Sequence, residues 1–195
     1  MEESLQPSPG DGSPAAGPVR SPGDIEELRA FVRRVPDYPA AGVTFLDITP
    51  LLASGPAFQR AVAALQEAVR DLDFDRVLGI EARGFLIGAP LAVGLGKGFV
   101  PARKPGKLPL PAARREYELE YGRAAIEIHR DAIGAGDRVL IVDDVLATGG
   151  TSAAAAALVE EQGGHVAGFA YLIEIGALGG RRRLGDRPVR VVLTY

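Results

Sequence analysis

Hydrophobic positions along the chain follow two different spacings. Val139-Leu140-Ile141-Val142 is an apolar run without alternation, which predicts a strand covered on both faces, as in a parallel sheet. Arg76–Ile80, Gly98–Ala102, Val166–Ile175 and Val189–Leu193 read as further strands. Between them the spacing becomes helical. Phe58, Ala61, Val62, Leu65 and Val69 share one face of a helix that starts at Ser54-Gly55-Pro56. A second helix follows the Arg76–Ile80 strand and runs to about Val93. A third covers Thr151–Gln162, where consecutive alanines suit close packing and Gly163-Gly164 stops it. Ile25, Leu28, Phe31 and Val32 mark an earlier helix, with Asp24 and Glu27 as a capping box and an end near Val35-Pro36.

The remaining segments are less regular. Pro36–Pro50 reads as a loop steered by prolines and a glycine. Its Val43, Phe45 and Ile48 either anchor it to the surface or line an apolar slot. Glu116, Glu118 and Glu120 alternate with Tyr117, Leu119 and Tyr121, a period of two that suits an exposed hairpin or lid. Ile126 and Ile128 alternate with Glu127 and His129 in a further strand. Met1–Gly23 is rich in Pro, Gly and Ser with few large apolar residues, and is expected to be a disordered tail. Residues 24–195 are then one α/β domain: a mostly parallel twisted sheet flanked by helices on both faces, with its ligand at the carboxyl ends of the strands.

Composition narrows the function classes. The chain has 195 residues, 47% of them apolar, enough for a sizeable core. A formal net charge of −3 gives no general attraction to nucleic acid. The absence of cysteine excludes disulfides and thiolate chemistry. No apolar run is long enough for a membrane span, and the N-terminus lacks the apolar core of a secretory signal. A cytoplasmic protein without membrane or nucleic-acid partners is the expectation. His129 and His165 are the only histidines, and neither is assigned a catalytic role.

The candidate chemistry centres on the Val139–Thr151 stretch. Asp143 and Asp144 fall where its strand is expected to end. Ala147, Thr148, Gly149, Gly150 and Thr151 form a run of small residues before a helix. Such a loop lets backbone N–H groups converge on an anion, with the positive end of the helix behind it. It suits a phosphate ester, with two acids nearby to hold hydroxyls or a metal. No lysine precedes Thr151, so this is not a Walker A loop, and the dinucleotide G-x-G-x-x-G spacing is also absent. Glu81-Ala82-Arg83-Gly84-Phe85, at a strand-to-helix turn, is a second candidate anion site, although Arg83 equally suits a carboxylate partner. Arg103-Lys104-Pro105-Gly106-Lys107 is a basic turn after a strand end, where open α/β sheets bind ligands. Arg181-Arg182-Arg183 reads as a solvated run.

The apolar run, the Asp pair and Ala-Thr-Gly-Gly-Thr together resemble the phosphoribosyl-diphosphate motif of the type I phosphoribosyltransferases. Pro36–Pro39, Gly42–Pro50, Glu81–Phe85, Arg103–Pro109, Tyr117–Gly122 and Val142–Thr151 stand in the order found in the adenine phosphoribosyltransferase family. The resemblance runs from about Asp24 to the C-terminus. It implies the type I fold with a mobile lid loop, and purine salvage: adenine and 5-phosphoribosyl 1-diphosphate give AMP and diphosphate. It also implies Mg²⁺ carried by the diphosphate substrate rather than by protein ligands, and a homodimer.

Carried over residue by residue, Asp143 and Asp144 would hold the ribose hydroxyls, and Ala147, Thr148, Gly149, Gly150 and Thr151 the 5′-phosphate. Ala82, Arg83, Arg103, Lys104 and Lys107 would meet the diphosphate. Val43, Thr44, Phe45 and Leu46 would flank the adenine. Glu120 and Tyr121 would close over the reacting centre with Arg83, and Glu120 is the candidate acceptor for the ring proton. Leu46 departs from the Arg or Lys often found there in relatives, and Glu81-Ala82 replaces the Asp-Ser of some. Transfer to xanthine or hypoxanthine, and a non-catalytic phosphoribosyl-diphosphate sensor, are the competing readings.

Overall fold

A computed structural model describes residues 25–118 and 122–195. The Met1–Gly23 tail, the Asp24 cap, and Glu120 and Tyr121 of the expected lid lie outside the described residues. The chain opens with a short 3₁₀ helix, Glu27–Phe31. Strands β1 (Arg33–Pro36) and β2 (Thr44–Asp47) follow, then helices α1 (Thr49–Ala53) and α2 (Gly55–Ala68). Next come β3 (Arg76–Ile80), α3 (Arg83–Gly94) and β4 (Gly98–Ala102). Strands β5 (Ala112–Glu118) and β6 (Arg123–His129) form an antiparallel hairpin. Strand β7 (Arg138–Leu146), helix α4 (Gly150–Glu161), β8 (His165–Glu174) and β9 (Val189–Thr194) complete the chain.

The central sheet has five parallel strands in the order β4-β3-β7-β8-β9. Strand β7 lies in the middle, as its unbroken apolar run requires. Val139, Leu140, Ile141 and Val142 are all 0% exposed, and successive side chains serve opposite faces. Leu140 and Val142 join α2 and α3 through Leu65, Ile87 and Leu91. Val139 and Ile141 join α4 and the β5–β6 hairpin through Ala155, Leu158 and Ile128. Local signals behave as expected in two helices. The Ser54 hydroxyl accepts from the Ala57 N–H and caps α2. The alanines of α4 let it sit close to the sheet, with Ala154, Ala155 and Ala156 buried. Among the described residues, no helix is long and apolar enough to cross a membrane.

The structure decides four points differently or more narrowly than the sequence. The first helix does not run to Val35-Pro36: it ends at Phe31, Val32 is extended, and Arg33–Pro36 pairs antiparallel with Thr44–Asp47. The segment expected to be a loop is therefore partly a hairpin. Its turn is closed by the Asp37 carboxylate, which accepts from the Gly42 N–H at 2.7 Å, and by an edge-on Tyr38–Phe45 ring contact. Pairing across a Pro-rich turn leaves little local trace. Ile48 does not line a slot but is fully buried in the core. Finally, Arg181 is not simply solvated: its guanidinium makes two hydrogen bonds of 2.7 Å to the buried Glu174 carboxylate.

Candidate active site

The site is built on the central strand. Pairing of β7 with β3 ends at Val142, whereas pairing with β8 continues to Leu146. Asp143 and Asp144 therefore lie beyond the last β3–β7 pair, still inside β7 rather than at its end. The Asp143 carboxylate accepts from the Asp144 N–H at 2.9 Å. Burial, then the neighbouring Asp144 charge, pushes the Asp143 carboxyl well above the usual carboxylate range. Burial also raises Asp144, opposed by the Arg83 guanidinium. Arg83 Nε lies 2.7 Å from Asp144 Oδ2, an ion pair that lacks hydrogen-bond alignment.

After β7 the chain turns through Ala147–Gly149 into α4. Gly149 adopts φ 79°, the left-handed region open to glycine, and stands at the N-cap of the helix. A small cavity of about 70 Å³ is lined by Val145 through Ser152 together with Asp143. All five residues expected at the 5′-phosphate line it. The converging N–H groups and helix dipole there suit an anion.

A second cavity of about 300 Å³ shares Asp143, Val145 and Ala147 with the first. Its other walls are Val43, Thr44, Phe45, Leu46, Arg83, Asp144, Ile175 and Leu178. The β1–β2 hairpin thus brings the expected base-binding residues to the acid pair. Leu46 is 5% exposed and packs in the core, so its side chain belongs to the protein interior even though the residue borders the cavity. The Arg83 guanidinium carbon lies 4.9 Å from the Phe45 ring centroid, so one arginine borders both acid and aromatic walls. Ile175 and Leu178 were not singled out from the sequence. Their only signal is position, just past the carboxyl end of β8.

Arg83 opens α3 immediately after a cis Glu81–Ala82 peptide. Gly84 lets this helix approach β7 closely: a Cβ there would sit 2.8 Å from the Val142 carbonyl oxygen and 2.9 Å from Asp143 Oδ1. The basic turn is arranged differently from the expected diphosphate cluster. Arg103 donates from Nε to Glu81 Oε2 at 3.3 Å and from Nη1 to the Lys107 carbonyl at 3.1 Å. Lys104 and Lys107 are exposed, and neither lines the cavity that holds Arg83. Lys104 instead borders an adjoining groove with Arg114, Tyr117 and Arg123.

Among the described residues, no group of three or more His, Cys, Asp or Glu side chains comes together as a metal site. The acid pair beside the phosphate loop nevertheless suits Mg²⁺, which takes one or two carboxylates along with substrate oxygens.

Comparison with known proteins adds to this geometry. Residues 49–191 match the phosphoribosyl transferase domain family. The chain is 52% identical over 169 residues to an adenine phosphoribosyltransferase of Pseudothermotoga lettingae, covering 87% of this chain and 99% of that one. It is 56% identical over 160 residues to one from Rubrobacter xylanophilus, covering 82% and 86%. The crystal structure of adenine phosphoribosyltransferase from Thermoanaerobacter pseudethanolicus superposes with a TM-score of 0.86 at 48% identity, over 88% of this chain and 99% of that one. The Saccharomyces cerevisiae enzyme, crystallised with an imino-altritol bisphosphate and adenine, gives 0.82 at 40% identity, over 88% and 99%. The chain belongs to the phosphoribosyltransferase family and groups within it with the adenine phosphoribosyltransferases.

Proposed function

We propose that this chain transfers the phosphoribosyl group of 5-phosphoribosyl 1-diphosphate to adenine, forming AMP and diphosphate. The observation that carries the reading is one acid, Asp143, shared by a phosphate-sized pocket and a larger, mostly apolar cavity that also holds Asp144. Sugar, phosphate and base would then have adjacent places at the carboxyl ends of the central strands. The relatives named above carry the same activity in their names.

The two cavities and the family resemblance support the following roles. Backbone N–H groups from Ala147 to Thr151 hold the 5′-phosphate. Asp143 and Asp144 orient the ribose hydroxyls, and their charge favours the oxocarbenium-like state as the bond to diphosphate breaks. The base nitrogen forms the new bond at the anomeric carbon, diphosphate departs with its electron pair, and the base loses a ring proton. Ala82, Arg83, Arg103, Lys104 and Lys107 receive the leaving group. Mg²⁺, bound with the diphosphate, supplies further charge neutralisation. Val43–Leu46 flank the base, joined by Ile175 and Leu178. Glu120 positions or accepts the ring proton, and Tyr121 closes the lid with it against water. Residues 24–195 make up the transferase domain, and residues 1–23 precede it. The enzyme works in the cytoplasm as a homodimer, which a gel-filtration mass twice that of the chain would support.

The test is an assay of diphosphate release from phosphoribosyl diphosphate, run with adenine, hypoxanthine, xanthine or no base. Adenine should give by far the highest kcat/KM. Preference for an oxopurine would reassign the base, and binding without turnover would make the protein a sensor.

A further inference from the structure

The two elements assigned to the diphosphate come from different parts of the chain. The Ala82–Arg83 turn follows β3, and the Arg103–Lys107 turn follows β4. These strands run parallel and their pairing ends together, at Ile80 and Ala102. One residue then ties the turns to each other. The Glu81 N–H donates to the Ala102 carbonyl at 2.9 Å. The Glu81 carboxylate accepts from the Lys104 N–H at 2.9 Å and from Arg103 Nε at 3.3 Å.

A second acid holds the far end of the basic turn. Glu127 Oε2 accepts from the Gly106 N–H at 3.0 Å, and the Glu127 and Arg103 backbones bond to each other in both directions. Two carboxylates therefore hold the turn, along with the Arg103–Lys107 bond within it.

This arrangement is unexpected on electrostatic grounds. A carboxylate beside the place for a highly charged anion opposes binding unless its charge is neutralised. The Lys104 N–H and Arg103 both hold Glu81 below the usual carboxylate range, so it carries its charge at neutral pH. Arg103 offsets that charge, with its guanidinium directed to Glu81 and the Lys107 carbonyl. The turn also carries the exposed Lys104 and Lys107.

We propose that Glu81 is a positioning residue for the leaving group: it docks the Arg103–Lys107 turn onto the Ala82–Arg83 turn, so that Lys104 and Lys107 meet the diphosphate held at Arg83. Glu81 acts through Lys104 and Arg103. The inference rests on the transferase reading above.

The test compares wild type with Glu81→Gln, Glu81→Ala and Glu81→Asp in the full chain. Calorimetry with inorganic diphosphate and Mg²⁺ measures leaving-group affinity without turnover. For Glu81→Ala, Kd for diphosphate and KM for phosphoribosyl diphosphate should both rise roughly tenfold, the scale of losing a charge-assisted hydrogen bond. KM for adenine should stay within about twofold, because the base cavity does not include Glu81. Glu81→Asp, which keeps the charge, should recover part of the loss, and Glu81→Gln should fall between Asp and Ala.

Unchanged diphosphate affinity in Glu81→Ala would overturn the assignment. So would an equal rise in KM for adenine, or failure of both Ala and Gln variants to fold, because each makes the role general stability. A wild-type protein that binds diphosphate but makes no AMP would refute the transferase reading while leaving the binding comparison to judge Glu81.

Discussion

Arg83 and Asp144 are in direct contact, with Nε 2.7 Å from Oδ2, so the proposed leaving-group cation rests on a proposed ribose acid. Only 5% of the Asp144 side chain is exposed, and a buried carboxylate needs such a partner. On the proposed roles, diphosphate would offer Arg83 a second anion, and the ribose hydroxyls would take over at Asp144. Arg83→Ala should lower kcat/KM by about 10²–10³-fold, the usual effect of removing one preorganised charge stabiliser. Arg83→Lys should restore only part, because lysine lacks the planar fork. Steady-state kinetics with both substrates check this, and near-normal turnover in Arg83→Ala would remove the residue from the mechanism.

Asp143 gives a pH prediction with a definite sign. Its folded-state pKa is raised, by burial first and by Asp144 second. Below the ordinary carboxylate range both folded and unfolded chains hold the proton, and the residue costs nothing. As pH rises the unfolded chain ionises first, and stability falls until the raised value is passed. Asp143→Asn should therefore raise Tm at neutral pH, with the gain fading below about pH 4. The same variant should lose most of its activity. Tm curves across pH decide the point, and a gain that persists unchanged at low pH would contradict it.

Gly149 should not tolerate a side chain. Its φ of 79° disfavours alanine, and an added Cβ would press on the Gly180 carbonyl oxygen. Gly149→Ala should destabilise the protein by about 1–3 kcal/mol. It should raise KM for phosphoribosyl diphosphate more than KM for adenine. Denaturant unfolding and kinetics measure the two effects separately.

Leu46 is 5% exposed within the core. Leu46→Ala should cost about 2–4 kcal/mol in unfolding free energy. Because the buried side chain contributes packing, the preference for adenine over hypoxanthine should be unchanged. A shift in base preference without loss of stability would show that the side chain itself reads the base.

The Glu174–Arg181 pair spans a segment containing Ile175 and Leu178, which wall the base cavity, and Gly180, which lies against Ala147 and Gly149. Arg181 is 49% exposed on its side chain, which reduces the value of the pair. Arg181→Ala should cost about 1–3 kcal/mol, chiefly because the buried Glu174 is left without its partner. KM for adenine should rise along with that loss, which titration with adenine and thermal melting would establish.

Much of this molecule is legible locally. Unbroken burial from Val139 to Val142 needs only an apolar run long enough to serve both faces of a sheet. The Ser54 cap, the thin alanine helix and the Gly149 turn are likewise properties of a few adjacent residues. So are the Asp143-Asp144 pair and the phosphate loop, because strand, acids, glycines and helix are consecutive. Motif order from Pro36 to Thr151 was sufficient to suggest the family.

Tertiary structure decided which distant residues meet and where their side chains point. Arg33–Pro36 pairs with Thr44–Asp47 across a Pro-rich turn, a non-local contact that periodicity does not encode. Arg83 suited either a phosphate or a carboxylate, and packing of α3 against β7 placed it on Asp144. Arg103 stood in a basic run, yet the common ending of β3 and β4 directed it to Glu81. Leu178 lines the larger cavity in a segment that also carries the Arg181–Glu174 pair, contacts that its own sequence does not announce. Local patterns set the elements and the chemical inventory through short-range backbone and burial preferences. Division of labour among the charged residues required the folded chain, because ion pairs depend on ångström-scale distances between segments far apart in sequence.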